Sequence, residues 1–292
     1  MTDEFLRYLE HERLRSPRTV ESYEASLRSF EDYFLSLDAQ LTWQSVDEDV
    51  IRDWMEHLVG CGMAVSSVGT RLAALRSFFR FALSRGLVGR DPAYNVAPPK
   101  KGKPLPHFLK EGEMDKLLDT CPWGDSYRDV RAKAIIVTLY ETGMRVSELV
   151  GLDDGQVDYD ACHVKVTGKG DKQRIIPFGN EVADTLRRYV AMRNEHVTRL
   201  SDALFLTEKG KRMDRGRVRK EVVAYLQMVS TQKKLSPHVL RHTFATAMLN
   251  NGASIESVRR LLGHSSASTT EVYTHTTFEQ LKRVYKEAHP RA

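Results

Sequence analysis

The sequence predicts a mainly helical protein of two domains, the second of which carries one small β-sheet. Apolar residues recur at steps of three or four over most of the first 90 residues. A proline-rich basic segment interrupts that pattern near residue 100. Beyond it two alternating, strand-like runs flank a glycine–lysine tip, after which helical spacing resumes.

In the first domain Phe5, Leu6 and Leu9 form a short leading helix. Ser16 followed by Pro17 marks a helix start, because a serine can cap and a proline at the first helical position loses no hydrogen bond. Val20, Tyr23, Leu27, Phe30 and Phe34 then make one apolar face as far as about Leu37. Asp47 caps a further segment with Val50, Ile51, Trp54, Met55 and Leu58 inward, ending at Gly60. The next runs from about Ser66 through Val68, Leu72, Leu75, Phe79 and Leu83 and stops at Gly86. Four amphipathic helices sharing one core are expected. Arg71, Arg76, Arg80 and Arg85 lie on the last of them, where they serve either as an ordinary solvated face or as phosphate contacts.

Residues 96–107 read as a linker: the prolines of Val96-Ala-Pro-Pro-Lys-Lys-Gly-Lys-Pro-Leu-Pro106 cannot continue a helix, and its lysines make it cationic. Charge changes at the same place. Residues 1–99 hold 11 arginines, no lysine and 15 acids, a formal −4; the remainder holds 33 bases against 24 acids, a formal +9. A basic second domain suits a polyanionic partner, nucleic acid first, or else is a solvated basic surface.

The second domain begins near Phe108, with a buried helical stretch at Ala134–Tyr140. His163-Val-Lys-Val and Arg174-Ile-Ile-Pro-Phe178 alternate as strands around Thr167-Gly-Lys-Gly-Asp-Lys-Gln173, a hairpin with Lys169 at its tip. Helical pattern returns from Glu181, with a short strand expected at Ala203–Thr207. Composition agrees with a globular chain: of 292 residues, 41% are apolar and 28% charged, which argues against disorder and against a fibre. No run approaches the roughly 18–20 apolar residues that span a bilayer. The acidic start, Met1-Thr2-Asp3-Glu4, does not read as a secretory signal. Cys61, Cys121 and Cys162 are scattered and form no CxxC pair, so a reducing cytoplasm is expected.

Three short segments carry chemistry. In Ser236-Pro-His238-Val-Leu-Arg241-His242, His238 and Arg241 are three apart and so neighbours on one helical face, just behind a helix N-terminus that favours anions. A core histidine plus a surface arginine is the plain alternative. In Glu141-Thr-Gly-Met-Arg145-Val-Ser-Glu148, Arg145 follows a glycine turn and opens a helix, with Glu148 placed to orient its fork or merely to form an exposed ion pair. In Leu262-Gly-His264-Ser-Ser-Ala-Ser-Thr-Thr-Glu-Val-Tyr273, a histidine sits in a hydroxyl-rich stretch and a tyrosine follows. A tyrosine is neutral at pH 7 and needs cationic neighbours to act as a nucleophile.

In chain order these residues, Arg145, Lys169, His238, Arg241, His264 and Tyr273, resemble the catalytic set of the tyrosine recombinases, the phage integrase family. The resemblance covers nearly the whole chain. It implies a SAM-like, four-helix core-binding domain over residues 1–95, the basic linker over 96–107, and over 108–292 a mixed α/β, mostly helical catalytic domain ending in a docking helix. The first amphipathic helix begins at residue 3, which on this reading leaves no space for the additional arm-binding domain of larger phage integrases. The layout is thus most similar to the Xer recombinases, which resolve chromosome dimers; a compact transposon, phage or integron integrase and a type IB topoisomerase are the alternatives.

What the resemblance implies is concrete. Tyr273 attacks a scissile phosphodiester to give a 3′-phosphotyrosyl bond, Lys169 protonates the leaving 5′-hydroxyl, Arg145 and Arg241 grip the non-bridging oxygens, His238 takes the tyrosine proton and His264 donates to a phosphate oxygen. Lys172 and Arg174 are expected to bind DNA. The two domains would clamp duplex DNA. No metal and no cofactor is implied: no obvious acidic metal cluster is present, and no GxxxxGK[ST] phosphate loop calls for ATP. The implied partners are double-stranded DNA with paired recombination sites, a homo- or heterotetramer joined through the C-terminal helix, and a septal DNA translocase, with no membrane. Phe278, Leu281, Val284, Tyr285 and Ala288 form the stripe that would dock on a neighbouring protomer.

Overall fold

The structure is a computed structural model that describes residues 1–99, 108–168, 173–232, 234–263 and 275–292. The chain divides into two compact units between residues 104 and 105. That point falls in the linker segment 100–107, which lies outside the described residues.

The first unit holds α1 (Thr2–Arg7), a single π turn at Tyr8–Glu12, α2 (Pro17–Leu37), α3 (Glu48–Gly60) and α4 (Val65–Ser84). Each start has a physical cause. The Ser16 hydroxyl accepts the Thr19 N–H at 3.3 Å ahead of Pro17, and the Asp47 carboxylate accepts the N–H groups of Asp49 and Val50 at 3.0 and 3.1 Å. Past α4, Gly86 turns the chain at φ +68°. Most inward residues are the expected ones: Phe5, Leu27, Phe30, Phe34, Ile51, Trp54, Leu72, Leu75 and Phe79 are buried together, whereas Leu83, expected on the inward face, is 44% exposed and Phe78 and Phe81 are buried instead. Fully burying one such side chain stabilises by about 1.5–3 kcal/mol. Two of the four arginines expected on this helix make contacts beyond it. Arg76 donates to the carbonyls of Ala93 and Val96 at 3.1 and 2.6 Å, and Arg85 pairs with Glu12 at 2.9 Å.

The second unit holds α5 (Glu111–Asp115) with a π turn at Lys116–Thr120, α6 (Tyr127–Thr142), α7 (Val146–Gly151), strands β1 (Val157–Asp158), β2 (His163–Thr167) and β3 (Gln173–Pro177), then α8 (Asn180–His196), α9 (Arg215–Leu226), α10 (Pro237–Asn250), α11 (Ile255–Leu262) and α12 (His275–Ala288). The central element is α6, buried over most of its circumference from Val130 to Thr142. The strands form one antiparallel sheet in the order β1-β2-β3, with Val164 opposite Ile176 and Val166 opposite Arg174. The hairpin expected from alternation is present; its tip, 169–172, is outside the described residues.

One expectation is corrected. Ala203–Thr207 forms no strand: the chain there makes only isolated bridges, Asp153 to Ala203 and Leu206 to Arg212. Its apolar residues are buried through distant contacts that alternation alone does not reveal: Phe205 stacks on Tyr189 of α8, and the Leu206 carbonyl accepts the Tyr127 hydroxyl of α6. In the single chain the C-terminal stripe packs on its own unit. Leu281, Tyr285 and Ala288 are buried against Phe244, Met248, Val258, Leu261 and Leu262. The tail is fastened as well: Arg291 pairs with Glu181 and Asp119 at 2.5 and 2.7 Å, and Asn251 donates to the Ala288 carbonyl at 3.0 Å. A 14-residue helix with one apolar face gains more from these buried contacts than from standing in water.

Candidate active site

The described part of the site is assembled around the end of α11. Helix α6 terminates at Gly143, whose φ of +59° reverses the chain into Arg145 and α7. A Cβ at Gly143 would stand 2.5 Å from Phe244 and 2.9 Å from Leu262, so only glycine lets α10 and α11 approach this turn. Across the turn Arg241, on α10, donates to the Gly143 carbonyl at 2.7 Å. One arginine thus holds the loop that carries the other.

Three consecutive carbonyls at the C-terminus of α11 then each take one arginine. Arg174 donates to Leu261 at 3.2 Å, Arg241 to Leu262 at 2.8 Å, and Arg145 to Gly263 at 3.4 Å. These carbonyls have no partner within the helix and sit at the negative end of its dipole, so cations are the natural caps. Gly263 closes the helix at φ +66°. The chain continues directly into His264, which is outside the described residues.

Glu148 lies beneath the arginines. It accepts the Arg145 backbone N–H at 2.7 Å and the Arg145 side chain at 2.9 Å, and it accepts both Arg174 terminal nitrogens at 2.8 and 2.9 Å. Burial works against the Glu148 charge, but the Arg174 and Arg145 hydrogen bonds and charges outweigh it, and its carboxyl is held below the usual range. The Arg241 guanidinium is pushed down to about 10, first by burial and then by the charge of Arg145. It remains a cation at neutral pH. His238 stands at the second position of α10, behind Ser236 and Pro237; Ser236 occupies the cap position without making a side-chain cap bond. The His238 imidazole is pulled below its ordinary value by desolvation and by the charges of His242, Arg241, Arg219 and Arg145. It is therefore neutral at pH 7 and able to accept a proton. Crowded cations with few acids between them form a site for an anion.

Of the sequence-derived residues, Arg145, His238 and Arg241 lie close enough for both arginine charges to act on the imidazole. Lys169, His264, Tyr273 and Lys172 lie outside the described residues. Arg174, expected to bind DNA, is 7% exposed and directs its donors at Glu148 and Leu261. Its signal was present in the strand pattern. Arg174 shares the inward phase of β3 with Ile176, and a charge at an inward position demands a buried partner of opposite sign. Among the described residues no group of three or more His, Cys, Asp or Glu is placed to hold a metal ion. None of the described helices is long and apolar enough to cross a membrane.

Comparison with known proteins gives concordant findings. The phage integrase family matches residues 107–280, and the phage integrase N-terminal SAM-like domain matches residues 2–86. A tyrosine recombinase XerC of Pelotomaculum thermopropionicum is 40% identical over 300 residues, covering 99% of this chain and 98% of that protein. A tyrosine recombinase XerD of Staphylococcus aureus is 34% identical over 292 residues, covering 99% and 98%. Among solved structures, the XerH site-specific recombinase bound to palindromic difH substrate superposes with a TM-score of 0.72 at 22% identity, covering 97% of this chain and 83% of that one. The Tn1549 transposon integrase in complex with transposon right end DNA gives 0.75 at 21%, covering 98% of each. At these identities the two structures speak for the fold.

Proposed function

The chain belongs to the phage integrase family, the tyrosine recombinases, and we propose that it is an Xer-type site-specific DNA recombinase working through a 3′-phosphotyrosyl bond at Tyr273. The observation that carries the reading is the pair Arg145 and Arg241, tied through the Gly143 turn and capped on adjacent carbonyls of α11. Two guanidinium forks so held are preorganised for the non-bridging oxygens of one phosphate, where negative charge grows as the tyrosine oxygen attacks.

In this mechanism the Tyr273 oxygen bonds to phosphorus and the 5′-oxygen leaves. His238, neutral at pH 7, takes the phenolic proton, Lys169 protonates the leaving oxygen, and His264 donates to a phosphate oxygen. A 5′-hydroxyl from the partner strand then attacks the phosphotyrosine, restores a phosphodiester and frees Tyr273. Guanidinium and ammonium groups supply the positive charge, so the reading needs neither metal nor ATP.

The second unit's formal excess of basic residues supports duplex DNA as the partner, with phosphate contacts that weaken as salt rises. We place the reaction in the cytoplasm, on two sites held by four protomers, of this chain alone or with a related recombinase, in chromosome dimer resolution before cell division and with a septal DNA translocase as a further partner. Helix α12 is buried in its own unit, so linking neighbouring protomers through it requires its release first.

The test is a nicked suicide duplex carrying the recombination site. The wild-type protein is expected to form a denaturant-resistant adduct, and Tyr273→Phe to lose it while binding DNA within about threefold, since only a hydroxyl is removed. An adduct that persists in Tyr273→Phe assigns the nucleophile elsewhere and sinks the reading.

A further inference from the structure

Resting on that reading, we propose that Arg174 is a positioning residue of the cleavage reaction: it occupies the charge of Glu148 so that Arg145 stays available to the scissile phosphate. Glu148 carries one negative charge and faces two guanidinium groups. Arg174 takes both carboxylate oxygens, at 2.8 and 2.9 Å, the fork-on-fork geometry that binds a carboxylate most strongly. Arg145 is left one side-chain bond to Glu148, at 2.9 Å, and a long 3.4 Å contact to Gly263. Exposure divides the two roles. The Arg174 side chain is 7% exposed and that of Arg145 37%. The inner arginine neutralises the acid and the outer one faces outward.

Arg174 also adjoins two further segments of the chain. It is fixed on β3, opposite Val166, in the strand that leaves the hairpin bearing Lys169. Its guanidinium also lies under Gly263, where a Cβ would come within 3.0 Å of it, one residue before His264. Without Arg174, Glu148 would be a buried carboxylate with spare charge beside the position of the substrate phosphate. It would draw Arg145 inward and repel the substrate anion. A lysine cannot reproduce the pair of parallel hydrogen bonds to the carboxylate.

The proposal is tested by single-turnover adduct formation at saturating duplex, with affinity measured separately. Arg174→Gln is expected to slow cleavage about 30-fold or more while the dissociation constant stays within about threefold, since one misplaced preorganised donor costs on the order of 10²–10³ in rate. The double variant Arg174→Gln with Glu148→Gln, in which the acid no longer needs neutralising, should be about tenfold faster than the single. A double variant no faster than the single overturns the proposal. So does weakened DNA affinity with an unchanged saturated rate, which would return Arg174 to direct DNA contact. If Arg174→Gln is too unstable to assay, Arg174→Lys keeps the charge and loses the fork. It should then lose less than about tenfold in rate at unchanged affinity, and a loss of affinity instead overturns the proposal. A wild-type protein that forms no Tyr273 adduct shows separately that the underlying reading has failed.

Discussion

The two units are held together differently. The first buries rings: Phe30 stacks edge-on to Phe34 and Trp54 at 5.3 and 5.1 Å, and Trp43 leans on Phe78 at 4.5 Å. Its ion pairs, such as Arg28–Glu24 and Arg52–Glu48, stay at the surface. The second buries charge. Arg131, 2% exposed, donates to Glu221, Glu208 and the Leu206 carbonyl, and Arg193 donates to Asp154 and the Leu204 carbonyl. Arg174 and Arg241 are buried in the same way. Ring packing tolerates small displacements. A buried guanidinium must find every acceptor or its desolvation cost goes unmet. The second unit therefore fixes backbone turns to within hydrogen-bond distances, which is what a site for a developing negative charge requires.

The largest expected effects test that contrast directly. Arg131→Ala strands the buried Glu221 and should destabilise the second unit by about 3–5 kcal/mol, whereas Arg131→Met with Glu221→Leu should recover most of the loss. Phe30→Ala should cost the first unit a similar amount, about 3–5 kcal/mol, with no partner substitution able to restore it. Denaturant titrations followed by fluorescence separate the two, because Trp43 and Trp54 report the first unit and Trp123 the second. If the double charge variant stays as unstable as Arg131→Ala, these charges shape the fold by more than pairing.

A middle-sized effect comes from the pH response of the C-terminal helix. Glu141, on α6, is buried and accepts the Tyr285 hydroxyl of α12 at 3.1 Å; its other oxygen has no partner among the described residues. Burial, with the nearby charge of Glu181, raises its carboxyl to about 8. The folded protein thus keeps a proton that the unfolded chain releases near pH 4.5. That contribution is fully present below about pH 4.5 and is lost as pH rises towards 8. His289, stacked on Tyr285, is lowered to about 3 by burial and contributes in the opposite sense, its stability lost as pH falls below 6.5. Thermal melts should show the second unit weakening between pH 6.5 and 8 by on the order of 1–3 kcal/mol, and Glu141→Gln should flatten that slope. An unchanged slope in the variant would place the titration elsewhere.

How legible each unit was follows from the same contrast. Helices α2, α3 and α4 could be read within a few residues, because a ring core is written as local periodicity with caps at Ser16 and Asp47. The hairpin and the Arg145, His238 and Arg241 constellation were legible as residue types in order. Glu141, His289 and the inward role of Arg174 were not. Each is polar, and its meaning depends on a partner far along the chain: Tyr285 for Glu141, Glu148 for Arg174. Such pairs leave no periodic trace. The short β1 strand and the bridges at Ala203 and Leu206 escaped for a related reason, since long-range contacts rather than alternation define them.

The smallest expected effect sharpens the comparison from the side of the first unit. Arg76 lies on α4 and Arg85 caps its C-terminal end, and the fold uses them differently. Arg76 satisfies two carbonyls of the segment after α4, while Arg85 makes one exposed pair with Glu12, its guanidinium 5.7 Å from the Phe81 ring. An exposed pair of this kind contributes only about 0.2–1 kcal/mol and is screened by salt. Arg85→Ala should therefore shift the first unit's melting by no more than a few degrees, and by less at high salt. Its stability is then nearly independent of this charge, which makes Arg85 the clean probe of whether α4 meets DNA. If it does, the variant should bind duplex more weakly and lower the dependence of log affinity on log salt by about one phosphate contact. An unaltered salt slope would assign Arg85 to the solvated face, and leave the first unit's hold on DNA to residues other than this one.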